Sequence, residues 1–316
     1  MGSRRFVERN NYRNTINNYS GVHWRNGFAA ASTLDVFYVA PIEKLPRDRE
    51  AIGENEVELD QPSDTRRFWG IHYQRPRAFG NVQLDLLIYG LEENDGASAT
   101  RDRSVYAPGF RLLLPRSRGQ WDFELEAAFR YGTISTSTAP NSPTVDVRAT
   151  MLHGEFGYTF DTPWNHRILL EYDLATGDDR TTETYERYDR FYGTRRGDLG
   201  NTSIHGPLTR SNASIVGLRY MFSGSQTDGR VVFQHALLHS ASDAWIVARH
   251  HDPLGLSGKE VGQTLDFRVR HWLIPERLRL DIGGSALWFG EFANNVPGGP
   301  EGSRTLYGYS ALEFFF

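Results

Sequence analysis

Residues 163–179 read PWNHRILLEYDLATGDD, and a long polar loop follows them. Trp164, His166, Ile168, Leu170, Tyr172 and Leu174 fall on one face, mostly apolar and flanked by aromatics, while Arg167, Glu171 and Asp173 fall on the other. A period of two with one fatty and one charged face describes a β-strand set between two unlike environments.

The pattern recurs outward from this stretch. In WDFELEAAFRY (121–131), Trp121, Phe123, Leu125, Ala127, Phe129 and Tyr131 oppose Asp122, Glu124, Glu126 and Arg130. Trp121 and Tyr131 stand ten residue steps apart. At roughly 3.3 Å per residue and a tilt of about 40°, that is on the order of 25 Å of height, the apolar band of an outer-membrane barrel with an aromatic at each interface. Strands of soluble β proteins are usually about 5–6 residues long, so length favours a membrane over a sandwich.

Strands are expected at 2–7, 20–27, 33–40, 66–75, 81–90, 104–114, 121–131, 145–160, 164–175, 211–222, 230–239, 261–273, 277–289 and 304–316. These are about 14 strands, an even number as in single-chain bacterial barrels. Connections alternate between short ones (FAAAS, RPRAF, PRSRGQ, DTP, 223–229 and IPE) and long polar loops at 8–19, 41–65, 91–103, 132–144, 176–210, 240–260 and 290–303. Short turns on one side and long loops on the other are the periplasmic and extracellular ends of an outer-membrane barrel. The expected fold is therefore all-β: one antiparallel transmembrane outer-membrane β-barrel spanning residues 1–316. Its partners would be outer-membrane lipid and lipopolysaccharide. The terminal SALEFFF, with Phe316, Phe314, Leu312 and Leu306 on one face, resembles the signal recognised by the barrel-assembly machinery.

Composition agrees. The mean hydropathy is negative, as expected when only every second residue meets lipid. No apolar run approaches the roughly 18 residues of a membrane helix. There is no cysteine, which removes disulfides, thiol nucleophiles and thiolate metal sites. Of 35 basic residues, only Lys44 and Lys259 are lysine. Arginine offers a fixed, always-charged fork for carboxylates; high-GC codon usage would explain the same total, so placement must decide. The start, GSRRFVERNN, is polar and carries no export signal, so a mature form, a fragment or a late start is expected.

Three segments carry a family resemblance: GSRRFVERNNYRNTINNYSGV at 2–22, EYDLATGDD at 171–179 and RFYGTRRGDLGN at 190–201. They resemble the alginate export family of outer-membrane porins, the second matching a Tyr-Asp-x-Ala-Ser-Gly-Asp strand end with Thr176 in place of Ser. The resemblance implies a passive conduit in the bacterial cell outer membrane, its Arg-rich lumen passing an acidic polysaccharide. In the family the opening motif follows earlier strands, so this chain is expected to be the C-terminal part of a larger barrel. Closure links strand number, tilt and shear.

With the apolar faces toward lipid, parity puts Arg25, Arg111, Arg130, Arg167, Arg219, Arg268, Arg270 and Arg279 inside. Asp85, Asp122, Glu124, Glu126, Glu171, Asp173, Asp266, Asp281 and Glu313 join them. An Arg at the lipid midplane costs about 2–4 kcal/mol, so inward placement is close to forced. These charges either neutralise one another across strands or leave guanidinium forks for the carboxylates of a passing uronate chain; conduction requires sites that attract yet release. Inward Tyr307 and Tyr309 would stack on sugar rings or simply fill space. In the long loop, residues 185–198 either fold over the mouth as a lid, with Arg195 and Arg196 as first contacts for an anion, or simply pack on themselves. Asp178 and Asp179, with Asp173 nearby, could hold a hard cation, but a solvated hairpin end explains them as well, and no metal or cofactor is assigned.

Enzymatic readings find little. No G-x-S-x-G is present, His153, His166, His235, His239, His250 and His251 are scattered, and any charged barrel holds carboxylate pairs at glycosidase separation. No basic stripe with stacking aromatics suggests nucleic acid. The expected function is a non-enzymatic, anion-preferring porin for an acidic poly- or oligosaccharide. A diffusion porin for small organic acids or general nutrients is the alternative, and an outer-membrane barrel hydrolase a second.

Overall fold

Strands form wherever the period of two is sustained, and each is joined to its sequence neighbour. The computed structural model describes residues 2–10, 16–95, 99–195, 197–202 and 204–316. Its strands are β1 (Tyr19–Gly27), β2 (Thr33–Glu43), β3 (Gln61–Pro62), β4 (Arg66–Phe79), β5 (Val82–Glu93), β6 (Ser104–Leu114) and β7 (Gln120–Ser135). They continue with β8 (Thr144–Thr159), β9 (Arg167–Ala175), β10 (Ala213–Ser223), β11 (Thr227–Leu237), β12 (Glu260–Ile274), β13 (Leu278–Phe289) and β14 (Arg304–Phe314). All pair antiparallel in chain order, except that the two-residue β3 lies off the path against β2. No helix among the described residues is long and apolar enough to cross a membrane, which says nothing of strands.

The register keeps one face apolar throughout. Along β7 and β8 it runs unbroken from Gln120↔Thr159 to Ser135↔Thr144, so the 16-residue strands match end to end. Outward side chains such as Trp121, Phe129, Phe156, Leu170, Leu218, Phe233, Phe267 and Leu312 are exposed. Inward Asp35, Asp85, Asp122, Glu126, Arg130, Glu171, Asp173 and Arg219 are buried. A surface of exposed aliphatics around a buried charged interior inverts a water-soluble protein and fits a lipid-embedded sheet. Trp121 stacks on Phe156 at 4.9 Å, and Tyr106 lies 5.5 Å from Tyr131, consistent with aromatic girdles near the strand ends.

One expectation changes. The strand expected at 2–7 does not join the sheet. Residues 2–6 are turns and bends, with Gly2 and Arg4 at positive φ, and the segment meets the β9–β10 loop in a single parallel bridge at Val7 and Tyr192, through Glu8 N–H to Tyr192 O (3.2 Å), Tyr192 N–H to Phe6 O (3.0 Å) and Thr194 N–H to Arg4 O (3.2 Å). So short a stretch does not secure a strand, and it does not choose the partner. Among the described residues, moreover, no ladder joins β1 to β14, so the curled sheet has an open seam.

The segment 2–10 and the loop fill the space the sheet encloses. Phe6, Tyr188, Phe191 and Tyr192 pack onto inward Phe37, Phe68 and Tyr89, with Phe68 5.0 Å from Tyr192 and Phe6 5.5 Å from Tyr89. Gly193 permits the contact, because a Cβ there would lie 1.7 Å from the Arg5 carbonyl oxygen.

Candidate functional site

The interior is a network of arginine and carboxylate. Arg111, on β6, forks onto Glu124 at 2.9 and 3.1 Å and reaches Asp85 at 3.2 Å. Arg167 binds Asp122 and lies 3.6 Å from Glu155. Arg219 binds Glu171 and reaches Glu155 at 3.2 Å. Arg130 donates to the carbonyl (2.8 Å) and carboxylate of Asp189, with Phe191 4.7 Å beneath its guanidinium. Nearer the edges, Arg25 forks onto Asp35 at 2.7 and 3.2 Å, Arg270 binds Asp228 at 2.7 Å, and Arg279 binds Glu313 at 2.8 Å with its guanidinium over the adjoining rings of Trp272 and Phe315. Arg268 lines two interior cavities. Glu171 also accepts from Gln234 (2.7 Å), and Asp173 accepts from His153 (2.9 Å) and Arg210 (2.8 Å). Inward placement thus holds for every strand residue singled out above, and much of the charge is neutralised across strands.

Two groups lay beyond the strand pattern. Arg5 reaches Glu126 at 2.9 Å and Asp198 at 3.0 Å and also binds Glu124, while Arg210 joins Asp198 to Asp173. Asp198 and Arg210 sit in the 176–210 loop, which gave no period to read, and Arg5 sits in a segment that was expected to join the sheet. Burial opposes ionisation of Asp198, yet Arg5 and Arg210 overcome it and hold its carboxyl well below the usual carboxylate range. Asp189 behaves likewise: burial pushes it up, and Arg130 and Arg103 hold it below its ordinary value. Arg230 was absent from the inward set read from the sequence, although alternation would have found it, since it lies opposite outward Val231 and Phe233.

The loop residues serve the plug's architecture. Asp179 accepts from Thr181 N–H at 2.9 Å and its hydroxyl at 2.8 Å, which lowers its pKa. Asp178 accepts from the Glu186 N–H at 2.9 Å. Asp179 therefore caps a turn and Asp178 closes the loop from 178 to 186, and no metal-binding group is found among the described residues. The Arg195 carbonyl accepts from Leu199 N–H at 2.9 Å, and its guanidinium packs against Gly206. Arg196 lies outside the described residues. The expected lid over the mouth is instead a plug inside the lumen. Tyr307 and Tyr309 do face inward; Tyr307 stacks on His205 at 4.9 Å, and the Tyr309 hydroxyl donates to Asp281 at 2.8 Å.

Space remains toward the short-turn end. One cavity of about 370 Å³ has Arg116, Arg118, Arg167, Arg230, Arg268 and Arg270 on its wall against the single carboxylate of Asp228. A second, of about 730 Å³, shares Arg268 and Arg270 with it and adds Arg4, Arg5 and Arg279, set against Glu8, Asp198 and Glu313.

A curled antiparallel sheet with a lipid-facing belt, short turns at one end and a charged interior defines an outer-membrane barrel of the porin type. Three solved Pseudomonas aeruginosa structures share it. OccK11 (OpdR) matches at 11% identity and TM-score 0.54 over 99% of this chain and 75% of its own. The outer membrane protein OpdK matches at 13% and 0.56 over 98% and 74%, and the outer membrane protein OprD at 14% and 0.52 over 99% and 73%. At these identities the likeness is one of fold. No curated protein matches in sequence. The chain belongs to the alginate export family, whose pattern it matches over residues 1–305, and is a porin of the bacterial outer membrane.

Proposed function

We propose that the chain passively conducts an anionic solute, foremost an acidic polysaccharide or oligosaccharide of the alginate type. The carrying observation is the composition of the space left open: six arginines and one acidic residue line the smaller cavity, Arg167 and Arg270 among them also held by Asp122 and Asp228, and the larger adds more arginine. Fixed forks suit uronate carboxylates. Neighbouring Asp228 and Glu313 keep each fork from holding a polyanion too tightly, as conduction requires. Family membership supports the cargo class. A small organic acid is the second reading, favoured by the occupied long-loop half of the lumen.

The test is the single-channel reversal potential under a salt gradient, with and without polyuronate. Anion preference with blockade by polyuronate is expected. Replacing Arg270 and Arg279 by Gln leaves Asp228 and Glu313 unopposed and should lower that preference; unchanged selectivity in the variant would sink the arginine-lined route.

A further inference from the structure

The plug is fastened to the barrel wall at one arginine that differs from the others. Arg230, buried on the inner face of β11, donates Nη1 to the Gly197 carbonyl at 2.5 Å and Nη2 to the Gly200 carbonyl at 3.3 Å. Its Nε and Nη2 both reach Asn201 Oδ1, at 3.2 and 2.8 Å. Among the described residues, every acceptor on Arg230 is thus an amide oxygen. Arg111, Arg167, Arg219, Arg270 and Arg279 each hold a carboxylate.

Arg230 also forms part of the wall of the 370 Å³ cavity, among five other arginines. That volume lies within the range of small-ligand pockets, about 300–1,000 Å³. Arg116, Arg118 and Asn165, on the short turns, place it at the periplasmic end. A carboxylate brings a full negative charge to the guanidinium, a Coulomb attraction that the neutral carbonyls now holding it lack, and its two oxygens match the guanidinium fork. Gly197 and Gly200 in the latched segment, at φ +112° and +153°, occupy conformations that glycine adopts without steric cost.

We infer that Arg230 is a ligand-operated latch: a small carboxylate solute bound in the short-turn cavity takes this guanidinium from the Gly197 and Gly200 carbonyls and loosens the hold of β11 on the 197–201 segment of the plug, while Asp198 stays bridged to Arg5 and Arg210. The latch rests on the anion reading above and adds a direction to it, since solute arriving from the periplasmic end opens the way ahead of itself. A ligand shifts such an equilibrium only by its differential affinity for the two states, and the exchange of acceptors on Arg230 supplies that difference.

The chain has no cysteine, so Ile204→Cys offers a single site, exposed and just beyond the latched segment, for a spin label. The labelled chain in lipid nanodiscs is titrated with sodium galacturonate and, separately, with glucose. A saturable rise in label mobility is expected with galacturonate and none with glucose. The Arg116→Gln, Arg118→Gln double variant, altered only on an exposed turn, should raise the half-saturating concentration at least threefold. Adding Arg230→Gln should leave the label mobile without ligand. Bound galacturonate with an unmoved label, an equal response to glucose, or indifference to the Arg116 and Arg118 changes each overturns the latch. Anion selectivity in bilayers beside an unmoved label overturns the latch alone; loss of selectivity overturns the conduction reading whatever the label does.

Discussion

Arg219 shows how tightly the interior charges are bound to one another. It is buried between Glu171 and Glu155, and Gly217 beside it is as small as it must be, because a Cβ there would lie 2.5 Å from Glu171 Oε1. Removing one partner of a buried pair leaves an uncompensated charge, at a cost of about 3–5 kcal/mol. Arg219→Gln should therefore lower the stability of the folded chain in lipid by that order, read from the urea midpoint; a loss below about 1 kcal/mol, as for an exposed pair, would contradict the buried network. Arg219, Arg167 and Glu171 were legible because alternation assigns each a face; Arg230 obeys the same rule and was missed. Their partners were not: whether Arg167 meets Asp122 or an incoming solute depends on register and on the plug, which no single strand records.

At the scale of elements, the plug is the finding. Segment 2–10 and the β9–β10 loop meet through a short parallel pairing, an aromatic cluster and the Arg5–Asp198–Arg210 bridge. The folded Asp198 titrates below its ordinary value of 3.8. A depressed carboxyl contributes its full stabilisation above the unfolded value and loses it as pH falls through the folded one. Amide protection across 188–202, corrected for intrinsic exchange, should thus stay flat from pH 8 to 5 and decline only below about pH 4. Protection already lost near pH 6 would mean that Asp198 does not hold the plug. The sequence marked 185–198 as rich in aromatics and arginine, hence able to pack on something, but an irregular segment carries no period from which its destination could be read.

Across the whole molecule, the belt decides where the protein resides. Leu170 points outward from β9 and is 59% exposed, an arrangement favourable in hydrocarbon and unfavourable in water. Leu170→Arg should cost about 2–4 kcal/mol of folding free energy in vesicles if that side meets the bilayer midplane. A neutral effect, or a wild-type chain that stays monodisperse without detergent, would contradict a lipid-facing belt.

The sequence by itself determined the strand faces, the alternation of short turns with long loops, and the inward placement of arginine. Each follows from the two-residue repeat of a strand and the cost of charge in lipid, which act locally at every position. Only the tertiary structure decided that residues 2–7 leave the sheet for the lumen, that the β9–β10 loop enters rather than caps it, and which arginines are left facing open space. Those outcomes depend on contacts between residues far apart in the chain, such as Arg5 with Asp198 and Arg230 with Gly197, and no local pattern encodes them.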